Sequence, residues 1–166
     1  AKARGAKIYA ELKGTGATGD GSHITAPDEQ GRGAAEAMRR AIEFAGLDVT
    51  DIQHVNPHVT STPLGDLAEN NALKSLFGDH AKKIAISATK SMTGHLLGAS
   101  GGIETVMTIK AIETGDCPPT INHDNPDDGC DLNYCPNEAQ HHEITNAMCN
   151  NFGFGGHNIA LVFGKV

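Results

Sequence analysis

Residues 83–114 read KIAISATKSMTGHLLGASGGIETVMTIKAIET, and this stretch decides the fold. "KIAISA" (Lys83–Ala88) is a short strand pattern. "TKSMTGH" follows at once, placing one lysine, Lys90, and one histidine, His95, among small or flexible residues. From Leu96 to Thr114 the chain then turns helical, and only Glu104, Lys110 and Glu113 carry charge. A helix apolar on most sides is expected to be buried. Gly98, Ser100, Gly101 and Gly102 would let another backbone approach it closely. A strand feeding a helix start is where α/β folds gather their sites. Lys90 and His95 therefore become candidates, whereas an arbitrary pair would be a surface lysine and a helix-start histidine.

Working outward, "KIYAEL" turns Ile8, Ala10 and Leu12 inward with a strand's period, and a Gly-rich loop is expected after it. "GAAEAMRRAIEFAG" sets Ala34, Ala37, Met38, Ala41, Ile42 and Ala45 at helical spacing, with Glu36–Arg40 and Arg39–Glu43 pairs outside. "DIQHVN" reads as a strand, and "PHVTSTPLG" as a polar turn. A second helix is expected from Asp66, with Glu69 three residues on in a capping-box pattern and Gly78 at its end. The stretch from "CPPTIN" to "CPNEAQ" is Pro- and Asp-rich loop with one short strand. "TNAMCNNFGFGGHNIALVFGKV" gives two strands joined by a glycine turn. The order β-α-β-α-β-α-β-β defines a layered α/β fold over 1–166.

The composition excludes several classes. With 13 basic against 20 acidic residues and a net charge of -7, no positive face suits nucleic acid, and no Lys/Arg run exceeds two residues. No apolar run approaches membrane-spanning length, and "AKARGAKIYAEL" lacks a signal peptide's apolar core. Cys117, Cys130, Cys135 and Cys149 follow no C-x-x-C spacing and are expected to be free thiols in a reducing, cytoplasmic setting. Cys130, Cys135, His141 and His142 lie close in sequence but lack a zinc-finger spacing, so no metal site is expected.

Other candidates flank the first pair. His58 leaves the strand "QHVN" at its C-terminal edge, and two such histidines would donate hydrogen bonds to one carbonyl oxygen as it becomes an enolate. Thr60 and Thr62 serve either as turn-stabilising hydroxyls or as contacts to a polar ligand arm. Glu104, in the buried helix, requires a cation, a metal or backbone donors. Phe154, between glycines in "FGFGGHN", is either a movable apolar plug or a core side chain in a tight turn.

Four motifs in order, "HVNPHVTSTPLGD", "TKSMTGHLLGA", "PPTIN" and "NNFGFGGHN", make the chain resemble the C-terminal half of an elongating β-ketoacyl-ACP synthase of the thiolase-like superfamily. The resemblance implies a thiolase-like half-domain that packs against a similar N-terminal half. It also implies a decarboxylative Claisen condensation in fatty acid synthesis. By that resemblance His58 and His95 are the catalytic histidines, and Lys90 is the active-site lysine in a polar network with Glu69. Glu104 is a buried glutamate of the same region. Thr60, Thr62 and Thr25 contact the phosphopantetheine arm. Phe154 gates the site within Phe152, Gly153 and Gly155, and Asp20 and His23 belong to the loop facing it.

The partners implied are acyl carrier protein, the N-terminal half and a second copy of the full-length enzyme. No cofactor is implied beyond the carrier's phosphopantetheine. Pro57 and Val59 stand where the family usually has Ala and Gly, and His157 where Thr or Ser is commoner. The nucleophilic cysteine belongs to the N-terminal half. None of the four cysteines here has a helix-start setting that would lower a thiol pKa, so the chain alone is expected to be inactive. Two further readings remain: a non-catalytic partner like a chain-length factor, and a truncated product without activity.

Overall fold

The computed structural model describes residues 1–166. Its seven strands are β1 (Glu11–Gly19), β2 (His54–Asn56), β3 (Ala85–Ile86), β4 (Asp116–Cys117), β5 (Gln140–His141), β6 (Asn146–Gly153) and β7 (His157–Gly164). The helices are α1 (Arg32–Phe44), α2 (Pro63–Phe77), α3 (Lys90–Thr93) and α4 (Ser100–Thr114). Five strands form one mixed sheet in the order β1-β7-β6-β2-β3; β2 runs parallel to β3 and β6, and β7 antiparallel to β6 and β1. β4 and β5 pair in a separate two-stranded ribbon.

The sheet carries helices on both faces, and strand alternation assigns side chains to them. Val55, Met148, Ala160 and Val162 join Ala37, Met38, Ala41 and Leu73 in a core under α1 and α2. Ala147, Cys149 and Phe163 point the other way, to Ala111 and Ile112 of α4. Consecutive residues of β6 thus serve opposite layers.

Three expectations are corrected. The first strand begins later than "KIYAEL" and runs through the segment expected to be loop. Its glycines are needed because α1 lies against it: a Cβ at Gly16 would stand 2.0 Å from the Ala37 carbonyl oxygen, and one at Gly14 2.1 Å from that of Ala41. A register shift between Leu12 and Gly14 leaves Leu12 exposed rather than inward. α2 starts at Pro63 after Thr62, a turn earlier than Asp66, because proline's fixed φ suits the first helical position. Glu69 is therefore no capping-box residue.

The run from Leu96 is also broken. A 3-10 turn at Leu97–Ala99 precedes α4, and α4 is buried along one stripe only, Ser100, Glu104, Thr108, Ala111 and Ile112. Much of that buried stripe is polar, while Val106 on the other side is 54% exposed.

Candidate active site

The chain leaves β2 at Asn56 and turns through Pro57–Ser61 before α2 brings it back. Glu69, 2% exposed, closes this turn: Oε1 accepts the His58 N–H at 3.1 Å and Oε2 the Val59 N–H at 2.9 Å. Asn150 Nδ2 on β6 donates to the same Oε1 at 3.1 Å. Burial pushes the Glu69 carboxyl up, and these donors oppose the shift. Asp66 Oδ1 accepts the N–H groups of Thr60 and Thr62 at 3.2 and 3.3 Å, so two carboxylates fix the whole turn.

On the other face, β3 delivers Lys90 into the interior, where its ammonium pairs with the Glu104 carboxylate. Glu104 Oε2 also accepts from Asn151 Nδ2 at 3.0 Å, and its backbone carbonyl accepts from Asn56 Nδ2 at 3.3 Å. Asn56 is oriented in turn by the Thr89 hydroxyl at 3.1 Å. Lys90 thus finds its carboxylate in Glu104, not in Glu69.

His95 follows Gly94, whose φ of 72° turns the chain out of α3. Ser100 Oγ accepts the Leu96 N–H at 2.9 Å and lies 2.9 Å from His95 Nδ1. Nδ1 also accepts the Leu97 N–H at 3.3 Å. Two donors aimed at Nδ1 make it the acceptor, which places the ring proton on Nε2. The His58 and His95 rings meet edge to face, with centroids 5.3 Å apart and planes at 83°. Burial, with help from the charges of Lys90 and His95, holds His58 down at about 3, so its ring is neutral at pH 7. Its Nδ1 is buried without a partner.

Phe152 approaches His58 with centroids 6.0 Å apart. Beyond it, Phe154 stands 78% exposed in a turn completed by Gly155 and Gly156, at φ 83° and 76°. The Asp20–Thr25 loop docks on this turn: Gly155 N–H donates to the Ile24 carbonyl at 2.7 Å, and Asp20 N–H to that of Gly156 at 2.9 Å. Asn158 Nδ2 donates to Asp20 Oδ1 at 2.7 Å. His23 Nδ1 accepts the Thr25 and Ala26 N–H groups at 3.1 and 2.9 Å. The Thr60 and Thr62 hydroxyls lie 3.2 Å apart.

The structure therefore brings together His58, His95, Lys90, Glu104, Glu69 and Phe152. Thr25, Thr62, His23, Gly153 and Phe154 are exposed, and no hydrogen bond ties them to His58 or His95.

The thiols are all in the interior or half-buried. Burial raises Cys149 to about 12 and also raises Cys130. Cys117 and Cys135 interact in the interior, which raises the first thiol and lowers the second. Cys135 lies in a loop and not at a helix start; it is fully buried and presents no surface to a substrate.

Sequence reasoning missed Asn150 and Asn151, which hold the two carboxylates. The signal was there: two adjacent asparagines in an otherwise apolar strand, "AMCNNF", must serve both faces. It also missed Ser100 and Asn56. A further cleft of about 430 Å³ was not foreseen; it is lined by Val59, Thr60, Lys90 and His95 on one side and Asn122, His123 and Tyr134 on the other.

Comparison with known proteins fixes the class of this layered fold. The family described as the C-terminal domain of β-ketoacyl synthase matches residues 9–124. A 3-oxoacyl-[acyl-carrier-protein] synthase 2 of Staphylococcus aureus is 54% identical over 165 residues, 99% of this chain and 40% of that protein. The solved β-ketoacyl synthase of Burkholderia phymatum superposes with a TM-score of 0.93 at 42% identity, covering 99% of this chain and 40% of its own. A type II polyketide ketosynthase, AntDE, solved with its acyl-carrier protein and a bound hexaketide, gives 0.96 at 36% identity with the same coverage. This chain belongs to the β-ketoacyl synthase family and corresponds to its C-terminal domain. It spans about 40% of the length of the curated relatives it matches.

Proposed function

We propose that this chain supplies the two-histidine half of a decarboxylating condensation site in fatty acid elongation, in a full-length cytoplasmic enzyme that works as a homodimer. The observation that carries the reading is the edge-to-face contact of His58 and His95 beside the buried Lys90–Glu104 pair. A cysteine thiolate on the N-terminal half takes the acyl chain from acyl carrier protein. A malonyl thioester, carried on phosphopantetheine past Thr25, Thr60 and Thr62, then presents its carbonyl oxygen to the two imidazoles.

When the C–C bond to the carboxylate breaks, its electron pair becomes an enolate whose charge falls on that oxygen. His95 meets it with Nε2–H, and His58, neutral and held through its backbone by Glu69, supplies a second N–H. The enolate carbon attacks the acyl-cysteine carbonyl and the thiolate leaves. Phe154, with Phe152, Gly153 and Gly155 and facing Asp20 and His23, gates entry. The AntDE complex supports acyl carrier protein as partner. Retention of His58, Lys90 and His95 weighs against a chain-length-factor role.

The test is to produce the chain alone and joined to a cysteine-bearing N-terminal half, and to follow 3-oxoacyl-ACP by mass spectrometry. The joined protein condenses and the chain alone does not. His95→Ala in the joined protein lowers the rate by roughly 10²–10³-fold. Condensation unaffected by that substitution would sink the reading.

A further inference from the structure

Val59 sits between two residues that the reading above gives to the substrate. His58 before it faces His95 with ring centroids 5.3 Å apart, and Thr60 after it is assigned to the phosphopantetheine arm. Val59 and Thr60 both line the cleft of about 430 Å³ that extends to Lys90 and His95. An arm lying along Thr60, with its thioester oxygen at the imidazoles, therefore passes Val59. The far wall of the cleft is the loop carrying Ile121 and His123. That wall is fixed: the Ile121 N–H donates to Ser91 Oγ at 3.0 Å, and the His123 ring packs on buried Tyr134 with centroids 5.7 Å apart.

Val59 has little freedom to move aside. Its own N–H donates to Glu69 Oε2 at 2.9 Å. The N–H groups before and after it donate to Glu69 Oε1 at 3.1 Å and Asp66 Oδ1 at 3.2 Å. Backbone held at three successive residues sets the direction of Cβ, and a β-branched side chain has few χ1 choices beyond that. Ala88, Ser91 and Gly94, which line the cleft beside Lys90 and His95, are small. The bulk on this side of the cleft thus comes from Val59, half-buried and stiff.

We propose that Val59 selects the extender unit at its α-carbon, admitting malonyl thioesters and excluding those that carry an α-methyl or larger group. The inference rests on the decarboxylating reading above and deepens it. The α-carbon is bonded directly to the carbonyl carbon whose oxygen the histidines hold, so a group on it meets the residues around them. The chemistry is the same for either substrate. The C–C bond to the carboxylate breaks, CO2 leaves, and the electron pair passes through the enolate into the new C–C bond as the thiolate departs. An α-methyl adds only bulk, and bulk is costly where the wall does not give.

The experiment offers malonyl-ACP and methylmalonyl-ACP together, in equal amounts, to the full-length enzyme joining this chain to its cysteine-bearing half. Mass spectrometry separates 3-oxoacyl-ACP from 2-methyl-3-oxoacyl-ACP, and their ratio is the ratio of kcat/KM. Wild type favours the malonyl product about 100-fold. Val59→Ala lowers that preference about tenfold, and Val59→Thr, alike in branching, retains it. Both products come from the same enzyme molecules, so a partly folded variant still reports the ratio. If Val59→Ala does not fold, Val59→Ile decides: it raises the preference above wild type, and an unchanged ratio overturns the proposal. A wild type with no preference overturns it, as does Val59→Ala with the wild-type ratio. A shift in Val59→Thr as large as that in Val59→Ala also overturns it, since polarity rather than bulk would then matter. A wild-type enzyme that acylates its cysteine but makes neither product removes the underlying reading, and this inference with it.

Discussion

On the α1–α2 face of the sheet, buried Glu69 is met by two backbone N–H groups and an asparagine amide; on the α4 face, buried Glu104 is met by the Lys90 ammonium and another asparagine. The first arrangement places a carboxylate among neutral donors and uses it to hold a loop. The second keeps two full charges where neither has water, so each depends on the other. The surroundings differ in the same sense. The Glu69 face is mostly alanine, aliphatic and aromatic packing, with Asn70 taking the Tyr134 hydroxyl, whereas the Glu104 face also buries His54, Asn56, Ser100 and Thr108. One face is built for closeness and the other for balanced polarity, and each should fail in its own way.

The largest failure is expected at the charge pair. Glu104→Ala leaves the Lys90 ammonium buried alone and costs about 3–5 kcal/mol in urea unfolding at pH 7. Replacing both, as Lys90→Met with Glu104→Leu, restores most of that stability; a double variant as weak as the single one would break the contrast drawn here. Next comes His54 on the same face, fully buried with Nδ1 at 2.9 Å from the Ala85 carbonyl and held down at about 4 by desolvation.

Its folded pKa lies below the unfolded value, so its contribution is present above about pH 6.5 and lost as pH falls through about 4. The loss is about 3 kcal/mol across that window, and His54→Phe flattens the acid limb by a similar amount. Stability measured from pH 7 to pH 4 with equal slopes in both proteins would contradict this.

On the closely packed face, Gly16→Ala drives a methyl into the Ala37 carbonyl and costs about 1–3 kcal/mol, read as a lower thermal midpoint. The smallest effect is at Glu69. Glu69→Gln keeps an acceptor oxygen but gives up one of the accepted hydrogen bonds, about 1 kcal/mol at pH 7. Because burial raises this carboxyl, its contribution is complete below its unfolded pKa and fades as pH rises through the folded one. Wild-type Glu69 therefore offsets part of the acid loss from His54, and Glu69→Gln steepens that limb.

Much of this was legible beforehand, and the exceptions share a cause. Periodicity located α1 correctly because its apolar stripe faces a single core. It missed β1 because a strand of glycines has no side chains to alternate, and only the neighbouring helix explains them. The segment from Leu96 to Thr114 shows the converse: overall apolarity suggested burial all round, but the buried stripe is the polar one. His58, His95 and Lys90 could be picked out by residue type at strand ends. Which carboxylate Lys90 meets could not, since Glu69 and Glu104 look alike until β6 separates them. The His123 wall depends on a long loop folding back, which no local pattern encodes.

Asn150 and Asn151 reach opposite layers only because they are neighbours on a strand. A substitution at either loosens one carboxylate. Deletion of a single residue between Cys149 and Phe152 would do something different in kind. Every side chain beyond it would change layers, carrying an asparagine to the wrong glutamate and Phe152 away from His58. In this family domain, reading-frame-preserving indels in β6 should be far rarer than point changes there, because the strand encodes handedness as well as composition.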